Sequence, residues 1–389
     1  MYIQNEKSII DTFMFRYTII IVSTKSFESQ CGMDVQKIYQ IFLYNTMSHK
    51  TIGGVYMVMN GIYLVIASAC ILILAYRFYG AFIAAKVLTL DEYRPTPAMV
   101  HNDGHDYVPT NKWVTFGHHF AAIAGAGPLV GPVIAAQFGY LPGALWILIG
   151  SVLAGAVHDM VILFASVRYD GKSIADIARE EISKFAGFGA MLATLFLLII
   201  TLAGMAVVVA NALHNSPWGF FSVFATIPIA IFIGIYLKWL RPGKIQEATI
   251  IGVALIFAAI IYGPNVAASE YASWFTYDLQ TIEIMLAVYG FFAAALPVWL
   301  LLAPRDYLST YLKIGTIGAL ALGIIIVMPE IQMPAVTPYI WGGGPVLKGS
   351  VFPYIFITIA CGALSGFHTV IATGTTPKML TNEKEILPI

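Results

Sequence analysis

The stretch MLATLFLLIITLAGMAVVVA, residues 191–210, contains no charged side chain. An α-helix rises about 1.5 Å per residue, so a helix of this length covers about 30 Å, the thickness of the hydrocarbon core of a bilayer. A strand of a membrane β-barrel would instead alternate apolar and polar residues over about ten positions. The stretch therefore predicts a membrane-spanning helix.

The rest of the chain has the same character. Of its 389 residues, 59% are hydrophobic and 11% are charged, whereas an ordinary soluble domain has about 25% charged residues. The sequence predicts an all-α polytopic membrane protein with about nine transmembrane helices. The apolar windows are 55–78, 114–139, 141–167, 187–211, 219–238, 248–266, 281–303, 314–329 and 351–376.

The positive charges indicate an orientation. If the first window starts outside, every Lys and Arg after residue 57 except Lys348 falls on the inner side of the membrane. Arg305 and Lys313 are then assigned to an inner loop. Cytoplasmic loops retain positive charge, so this separation supports both the count of nine and the orientation. The segment 167–187 is amphipathic and is expected to lie along the inner membrane surface.

Several classes of function find no support in the sequence. The net charge is +0, which gives no reason to expect a nucleic-acid partner. The cysteines Cys31, Cys70 and Cys361 are isolated, so we expect neither a disulfide framework nor a zinc site. Because phosphate-loop and peptidase motifs are also absent, we expect no cofactor and no enzymatic activity.

The apolar pattern suggests three segments. Residues 57–380 are interpreted as the transmembrane domain, and 381–389 as a truncated tail. The predicted orientation places the segment 1–56 outside the membrane. This conflicts with the charge rule, because the segment carries five Lys and Arg residues. It is interpreted as a signal-peptide core, an interfacial helix or translation from an upstream start. The third interpretation is favoured, with a natural start near Met57 or Met59.

Two spans have sequences that interrupt a helix. FGHHFAAIAGAGPLVGP, residues 116–132, places a Gly/Pro cluster inside an apolar window, and GHHFAAIAGAGP (117–128) shares the pattern G-x-H-x5-G-x2-P with GFHTVIATGTTP (366–377). A packing kink is the simpler explanation of one such cluster. Repetition in two spans of opposite direction favours two discontinuous helices in an inverted-repeat secondary transporter.

Interrupted helices leave backbone N–H and C=O groups that a ligand can use. We therefore predict that a substrate carboxylate lies at the breaks 125–132 and 374–377. Hydrogen bonding of the threonines to their own helix is an alternative explanation of those residues. The predicted substrate-binding residues are Gly125, Gly127, Pro128, Gly131, Thr373, Gly374, Thr375 and Thr376.

Ionisable groups inside the spans are the candidates for proton coupling. Asp159 and its neighbour His158 lie in the third window, and His119 and His368 lie in the two interrupted spans. A carboxylate at this depth is costly, so it is expected to face the protein interior. A structural Asp–His pair remains an alternative. So does an intramembrane metal site built from His118, His119, His158 and Asp159; the preferred interpretation contains no metal.

Long stretches of the chain resemble the carbon starvation protein A family of bacterial inner-membrane transporters. They include RPTPAMVHNDGHDYVPTNKWVTFGHHFAAIAGAGPLVGPVIAAQFGYLPG, AGAVHDMVILFASVRYDGKSIADIAREEI and ACGALSGFHTVIATGTTPK. The resemblance runs from about residue 57 to residue 380. It implies uptake of small nutrients during carbon starvation, with peptides and pyruvate as substrate classes, proton coupling for the pyruvate carriers, and kinship with inverted-repeat transporters.

The chain departs from the family pattern at both ends, because the N-terminal extension is foreign to it and the sequence stops at KMLTNEKEILPI. The expected function is proton symport of pyruvate or short peptides, with the lipid bilayer as surroundings. A truncated inactive fragment and an accessory membrane scaffold are the alternatives. A separately encoded C-terminal remainder is the expected partner if this chain alone is incomplete.

Overall fold

The computed structural model describes residues 60–241, 244–296 and 300–389; the predicted N-terminal extension 1–56 lies outside them. Within the described residues the only β pairing is an isolated bridge between Asn60 and Glu330. The predicted all-α polytopic fold is confirmed. In chain order the α-helices of the described part are α1 Gly61–Leu74, α2 Pro97–Val100, α3 Lys112–Ile123, α4 Gly127–Ala135, α5 Tyr140–Gly150, α6 Ala156–Arg168, α7 Ile174–Glu181, α8 Lys184–Leu213, α9 Pro217–Ile235, α10 Ile245–Ala267, α11 Leu279–Ala295, α12 Leu302–Val327, α13 Val351–Thr358, α14 Ala360–Ala363 and α15 Gly366–Gly374.

Six continuous helical segments are long and apolar enough to cross a membrane, and a seventh is added if the bent pair α3–α4 counts as one span. Helix α11 is apolar but shorter, and the ninth predicted window is divided among α13, α14 and α15. The count of nine and the inverted repeat therefore stay predictions. The six segments are Gly61–Val87, Tyr140–Arg168, Lys184–Leu213, Pro217–Leu240, Gln246–Ala267 and Pro304–Val327.

The eighth span differs from its prediction. Helix α12 begins at Leu302 rather than at residue 314, so Lys313 lies inside a helix and not in an inner loop. A hydropathy window rejects a segment that contains Arg305, Asp306 and Lys313, but backbone hydrogen bonding continues through such residues when their side chains find partners.

The described residues form two compact units. The larger one takes its residues from 60–202 and 309–389, and the smaller one from 203–308. In the smaller unit α9 and α10 pack together, and the Trp218 indole N–H donates to the carbonyl of Ile260 at 3.0 Å.

One end of the larger unit is held together by its last residues. Glu383 is fully buried and binds Arg168 at the end of α6, with Nε–Oε1 and Nη2–Oε2 distances of 2.5 and 3.0 Å. It also accepts the backbone N–H of Asp91 at 2.7 Å. Leu380 and Ile386 pack in the same apolar core. This end of the unit therefore fixes α6 and α15, the two helices that carry the ionisable residues described next.

Candidate functional site

The first interruption lies between α3 and α4. Helix α3 ends at Ile123, Ala124 has left the helical conformation (φ −80°, ψ 59°), and the two helices are bent by 46°. Gly125 lies in the break, whereas residues 127–135 are helical. The break is thus shorter than the predicted 125–132. Proline is tolerated in the first turn of a helix, where its missing N–H has no intrahelical partner, so Pro128 marks the restart.

The second interruption is not where the sequence analysis placed it. Leu364 and Ser365 are extended, and they separate α14 from α15. The Ser365 hydroxyl accepts the N–H of Phe367 at 3.2 Å and caps α15. Gly374 is the last residue of α15, so the predicted break 374–377 is the end of the helix. A serine cap is a weaker sequence signal than a proline, which explains the difference.

The two interrupted spans run antiparallel, and their breaks lie side by side. His119 of α3 is bonded to Thr376, with 2.7 Å between Nδ1 and Oγ1. Beyond the break, a Cβ placed on Gly127 would lie 2.6 Å from the sulfur of Cys361, so only glycine permits this approach. Going along the first span from His119 to Gly127, the contacts on the second span move backwards in sequence, from Thr376 to Cys361. Both interruptions lie between these two contacts.

An acid–imidazole cluster lies beside the second interruption. Asp159 of α6 uses both carboxylate oxygens: Oδ1 accepts from Nδ1 of His158, and Oδ2 accepts from Nδ1 of His368 on α15, each at 2.9 Å. Nε2 of His158 is 2.9 Å from the hydroxyl of Thr369. His368 is 8% exposed, and its Nε2 atom is buried without a hydrogen-bond partner.

The cluster combines one carboxylate with two imidazoles, the side-chain groups that proteins most often use to exchange protons. Asp159 and His368 belong to different spans, so the bond between them joins two helices. Within the described residues, no group of three or more His, Cys, Asp or Glu side chains is arranged to hold a metal ion.

The predicted residues fall into separate groups. His158, Asp159 and His368 are in direct contact, while His119 is bonded to Thr376. The Thr373 hydroxyl donates to the carbonyl of Thr369 at 2.8 Å. This is the hydrogen bond to its own helix that the sequence analysis gave as the alternative to substrate binding.

The remaining predicted binding residues are divided between surface and interior. Gly374 and Thr375 are exposed. Gly131 is buried in α4, where a Cβ would lie 2.1 Å from the carbonyl oxygen of Thr358. Gly131 therefore serves the close approach of the two interrupted spans rather than presenting a group to a ligand.

Sequence reasoning missed Lys313. Its ammonium lies 2.7 Å from the carbonyl oxygen of Ala121, just before the first interruption, and the hydroxyl of Thr310, also on α12, donates to the carbonyl of Gly117 at 2.7 Å. The three-residue spacing of Thr310 and Lys313 indicates that both lie on one face of a helix. Which backbone groups they contact becomes clear only once α3 is placed beside that face.

The sequence model of one protein family, described as carbon starvation protein CstA, matches residues 60–389. The chain belongs to this family. Together with the apolar helices, membership of the CstA family makes the chain a multi-pass protein of the bacterial inner membrane.

Curated members of the CstA family are similar along most of the chain. The peptide transporter CstA of Campylobacter jejuni is 58% identical over 332 residues, 85% of this chain and 47% of the relative. The peptide transporter CstA of Bacillus subtilis is 54% identical over 85% of this chain and 55% of its own length. The pyruvate/proton symporter BtsT of Escherichia coli is 53% identical over 84% of this chain and 46% of its own length.

The chain thus spans about half the length of the CstA relatives that it matches. No solved structure matches the chain.

Proposed function

We propose that this chain is part of a secondary transporter that takes up a small carboxylate such as pyruvate, or short peptides, together with a proton. The observation that carries the proposal is the bond between Asp159 and His368, which joins two spans through a titratable pair. The relatives are named as a peptide transporter and a pyruvate/proton symporter, which supports the same class of function. They favour it over an inactive fragment, a scaffold or a metal site.

The arrangement supports a simple coupling scheme. Asp159 is held by imidazoles from α6 itself and from α15. Protonation of this group removes or redistributes charge and so changes the strength of the bond between α6 and α15. In the proposed transporter, substrate binding beside the neighbouring interruption and protonation of the cluster favour the same conformation. Neither ligand is then transported efficiently without the other.

The direct test is uptake into vesicles. The chain is reconstituted alone, and labelled pyruvate and a labelled dipeptide are supplied with and without an inward proton gradient. We expect the gradient to drive accumulation of at least one of them and a protonophore to abolish it. If vesicles with and without the protein take up equal amounts of the labelled substrates under a full gradient, the proposal is contradicted for this chain alone.

A second arm tests the proposed partner. The chain is co-expressed with the second half of the Campylobacter jejuni relative, the part that its own sequence does not match. Uptake that appears only with both pieces would support a separately encoded remainder. Uptake by the chain alone at the same rate would remove the need for one.

A further inference from the structure

The two histidines of the acid–imidazole cluster differ in one bond. His158 uses both ring nitrogens, since Nδ1 is bonded to Asp159 and Nε2 to the hydroxyl of Thr369, each at 2.9 Å. His368 is 8% exposed and is bonded to Asp159 through Nδ1, but its buried Nε2 atom has no hydrogen-bond partner among the described residues. Burying a polar atom without a partner costs free energy, so the Nε2 atom of His368 needs an explanation.

The hydrogen bonds of the cluster assign its protons. An ionised carboxylate only accepts, so Nδ1 of each ring carries a proton and donates it to Asp159. The Nε2 atom of such a neutral ring is an acceptor, and in His158 it accepts from the Thr369 hydroxyl. The Nε2 atom of His368 is then a lone pair. A proton can add to that lone pair without breaking any bond of the cluster.

This lone pair lies beside the second interruption. His368 is in the first turn of α15, which has nine residues and is capped by Ser365. Helical side chains lean toward the N-terminus of their helix, so the ring lies over the turn that borders the break. The N–H of Gly366, the exposed first residue of α15, has no acceptor within the helix. The N-terminal end of α15 is thus suited to an anion.

We propose that Nε2 of His368 binds the coupled proton and donates it in a hydrogen bond to the carboxylate of the substrate. The proton adds to the lone pair, an N–H bond forms, and the cluster gains one positive charge. A carboxylate supplies the acceptor and the opposite charge that this buried donor needs. The inference rests on the proposed function, because pyruvate and peptides share a carboxylate and differ elsewhere. His158 is a positioning residue that holds Asp159.

The arrangement makes each ligand depend on the other. Without the proton, the lone pair of Nε2 repels a carboxylate. Without the carboxylate, the protonated ring has a buried N–H group that lacks an acceptor. The proton and the carboxylate therefore bind together, and the proton returns to water when the carboxylate leaves. Such mutual dependence is the coupling that a symporter requires.

Other ionisable groups surround the ring, because α15 packs against α3, α6, α7 and the turn 376–378. Asp159 supplies the negative charge that is bonded to the ring. Arg168, at the other end of α6, is paired with Glu383. A response to pH must therefore be assigned by replacing the ring itself. The further ionisable residues of these elements that are not exposed are His118 and His119 on α3, His158 on α6, Asp176 on α7 and Lys378.

The test measures how pH changes the preference for a carboxylate over the matching neutral amide. The chain is placed in lipid nanodiscs, and the Kd of pyruvate, alanyl-alanine and the amide of each is measured by isothermal titration between about pH 5 and pH 8. We expect the preference of wild type to rise as the pH falls, by up to about tenfold per pH unit, the limit for one linked proton. This measurement on wild type needs no variant.

Four variants assign the proton to one atom. His368→Asn keeps an N–H group toward Asp159 but has no Nε2, so the preference should fall to within about twofold at every pH. His368→Gln places an amide N–H near the position of Nε2, so it should prefer carboxylates to the same degree at every pH. His158→Asn should weaken binding but keep its pH dependence. His105→Asn removes an exposed loop imidazole and is the matched control.

Three results would overturn the inference: a wild-type preference that does not change with pH, a His368→Asn protein with the pH dependence of wild type, or no carboxylate binding in either pair. Proton-linked binding without gradient-driven uptake would leave the inference standing and contradict the proposed transport. Gradient-driven uptake that His368→Asn leaves unchanged would contradict the inference and leave the proposed transport standing.

Discussion

The two interrupted spans solve the same backbone problem in different ways. At the first break, a carbonyl that has lost its helical partner receives the ammonium of Lys313, which belongs to another helix. At the second break, Ser365 caps the new helix from within the same span, and the adjacent α15 brings His368 to Asp159. The first break is thus bridged from a third helix, whereas the second lies beside the acid–imidazole cluster.

The difference suggests a division of labour. The first interruption is bridged by a side chain of another helix, whereas the second lies beside a carboxylate held by two imidazoles, which are the groups that proteins use to exchange protons. The breaks lie side by side in antiparallel spans, so the proposed coupling between a substrate and a proton would act over a short distance.

The strongest way to break this comparison is Asp159→Asn, which keeps the shape of the side chain but removes the carboxylate that we propose takes part in proton coupling. We expect proton-driven accumulation to fall by up to about 150-fold, the upper range of a coupling free energy between two sites. Binding of the proposed substrate, measured without a gradient, should change much less. Uptake and nanodisc binding measured on the same preparation check both statements.

Asp170→Asn is the matched control, since Asp170 is an exposed loop residue with a positive φ that asparagine accepts. Undiminished gradient-driven uptake in Asp159→Asn would remove Asp159 from the proton path.

The sequence predicted the helices well because an apolar run is a local signal. It also predicted the first interruption, since Gly125 and Pro128 together disfavour a continuous helix at that point. It misplaced the second interruption because ALSG, residues 363–366, contains no proline. The cap formed by Ser365 depends on two extended residues that the sequence alone does not specify.

The contacts of the site required the folded chain. Asp159 and His368 lie on separate spans. No local sequence pattern predicts that one carboxylate oxygen of Asp159 bonds to His158 and the other to His368. Lys313 was assigned to a loop because hydropathy counts its charge against a span. Its partner, the carbonyl of Ala121, becomes available only because α3 ends two residues later, at Ile123.

The next largest effect tests how closely the second interrupted span must pack against the first interrupted span, at Gly131, and against the segment Tyr140–Arg168, at Gly155. A Cβ on Gly131 would lie 2.1 Å from the carbonyl oxygen of Thr358, and one on Gly155 would lie 1.9 Å from that of Ala363. Backbone atoms cannot move aside as a side chain can, so we expect Gly131→Ala and Gly155→Ala each to lower stability by about 1–3 kcal/mol or more. Thermal unfolding of the variants in nanodiscs measures this loss of stability.

Gly204→Ala supplies the comparison for these two variants. Nothing lies within 4 Å of the position that its Cβ would take, so the methyl group should leave stability unchanged or raise it by up to about 1 kcal/mol. Equal melting temperatures for Gly131→Ala, Gly155→Ala and Gly204→Ala would show that the breaks are not held together by these approaches.

A smaller effect is expected from Ser365→Ala, which removes the cap of α15. Losing an N-cap side chain costs about 0.5–2 kcal/mol, and here it loosens the turn that positions His368. Uptake should therefore fall along with stability. Ser350→Ala is matched to it, because Ser350 precedes α13 without capping a backbone N–H. If both serine variants behave alike, the second interruption does not depend on its own cap.

The smallest effect lies outside both interruptions and gives the comparison its baseline. The side chain of Asp103 accepts backbone N–H groups of His105, Tyr107 and Asp106, which lowers the pKa of its carboxyl group from 3.8 to about 2. The ionised form is therefore favoured in the folded loop. Its stabilising effect is present above about pH 4 and is lost as the pH falls toward about 2.

Asp103→Asn should consequently speed amide exchange of residues 105–107 at pH 6, with a smaller difference from wild type at pH 3, once the intrinsic pH dependence of exchange is subtracted. Because this loop is fully exposed, carboxylate binding and proton coupling should be unaffected. A change in uptake as large as that of Asp159→Asn would mean that transport responds to charge anywhere in the chain. The proposed role of the acid–imidazole cluster beside the second break would then be lost.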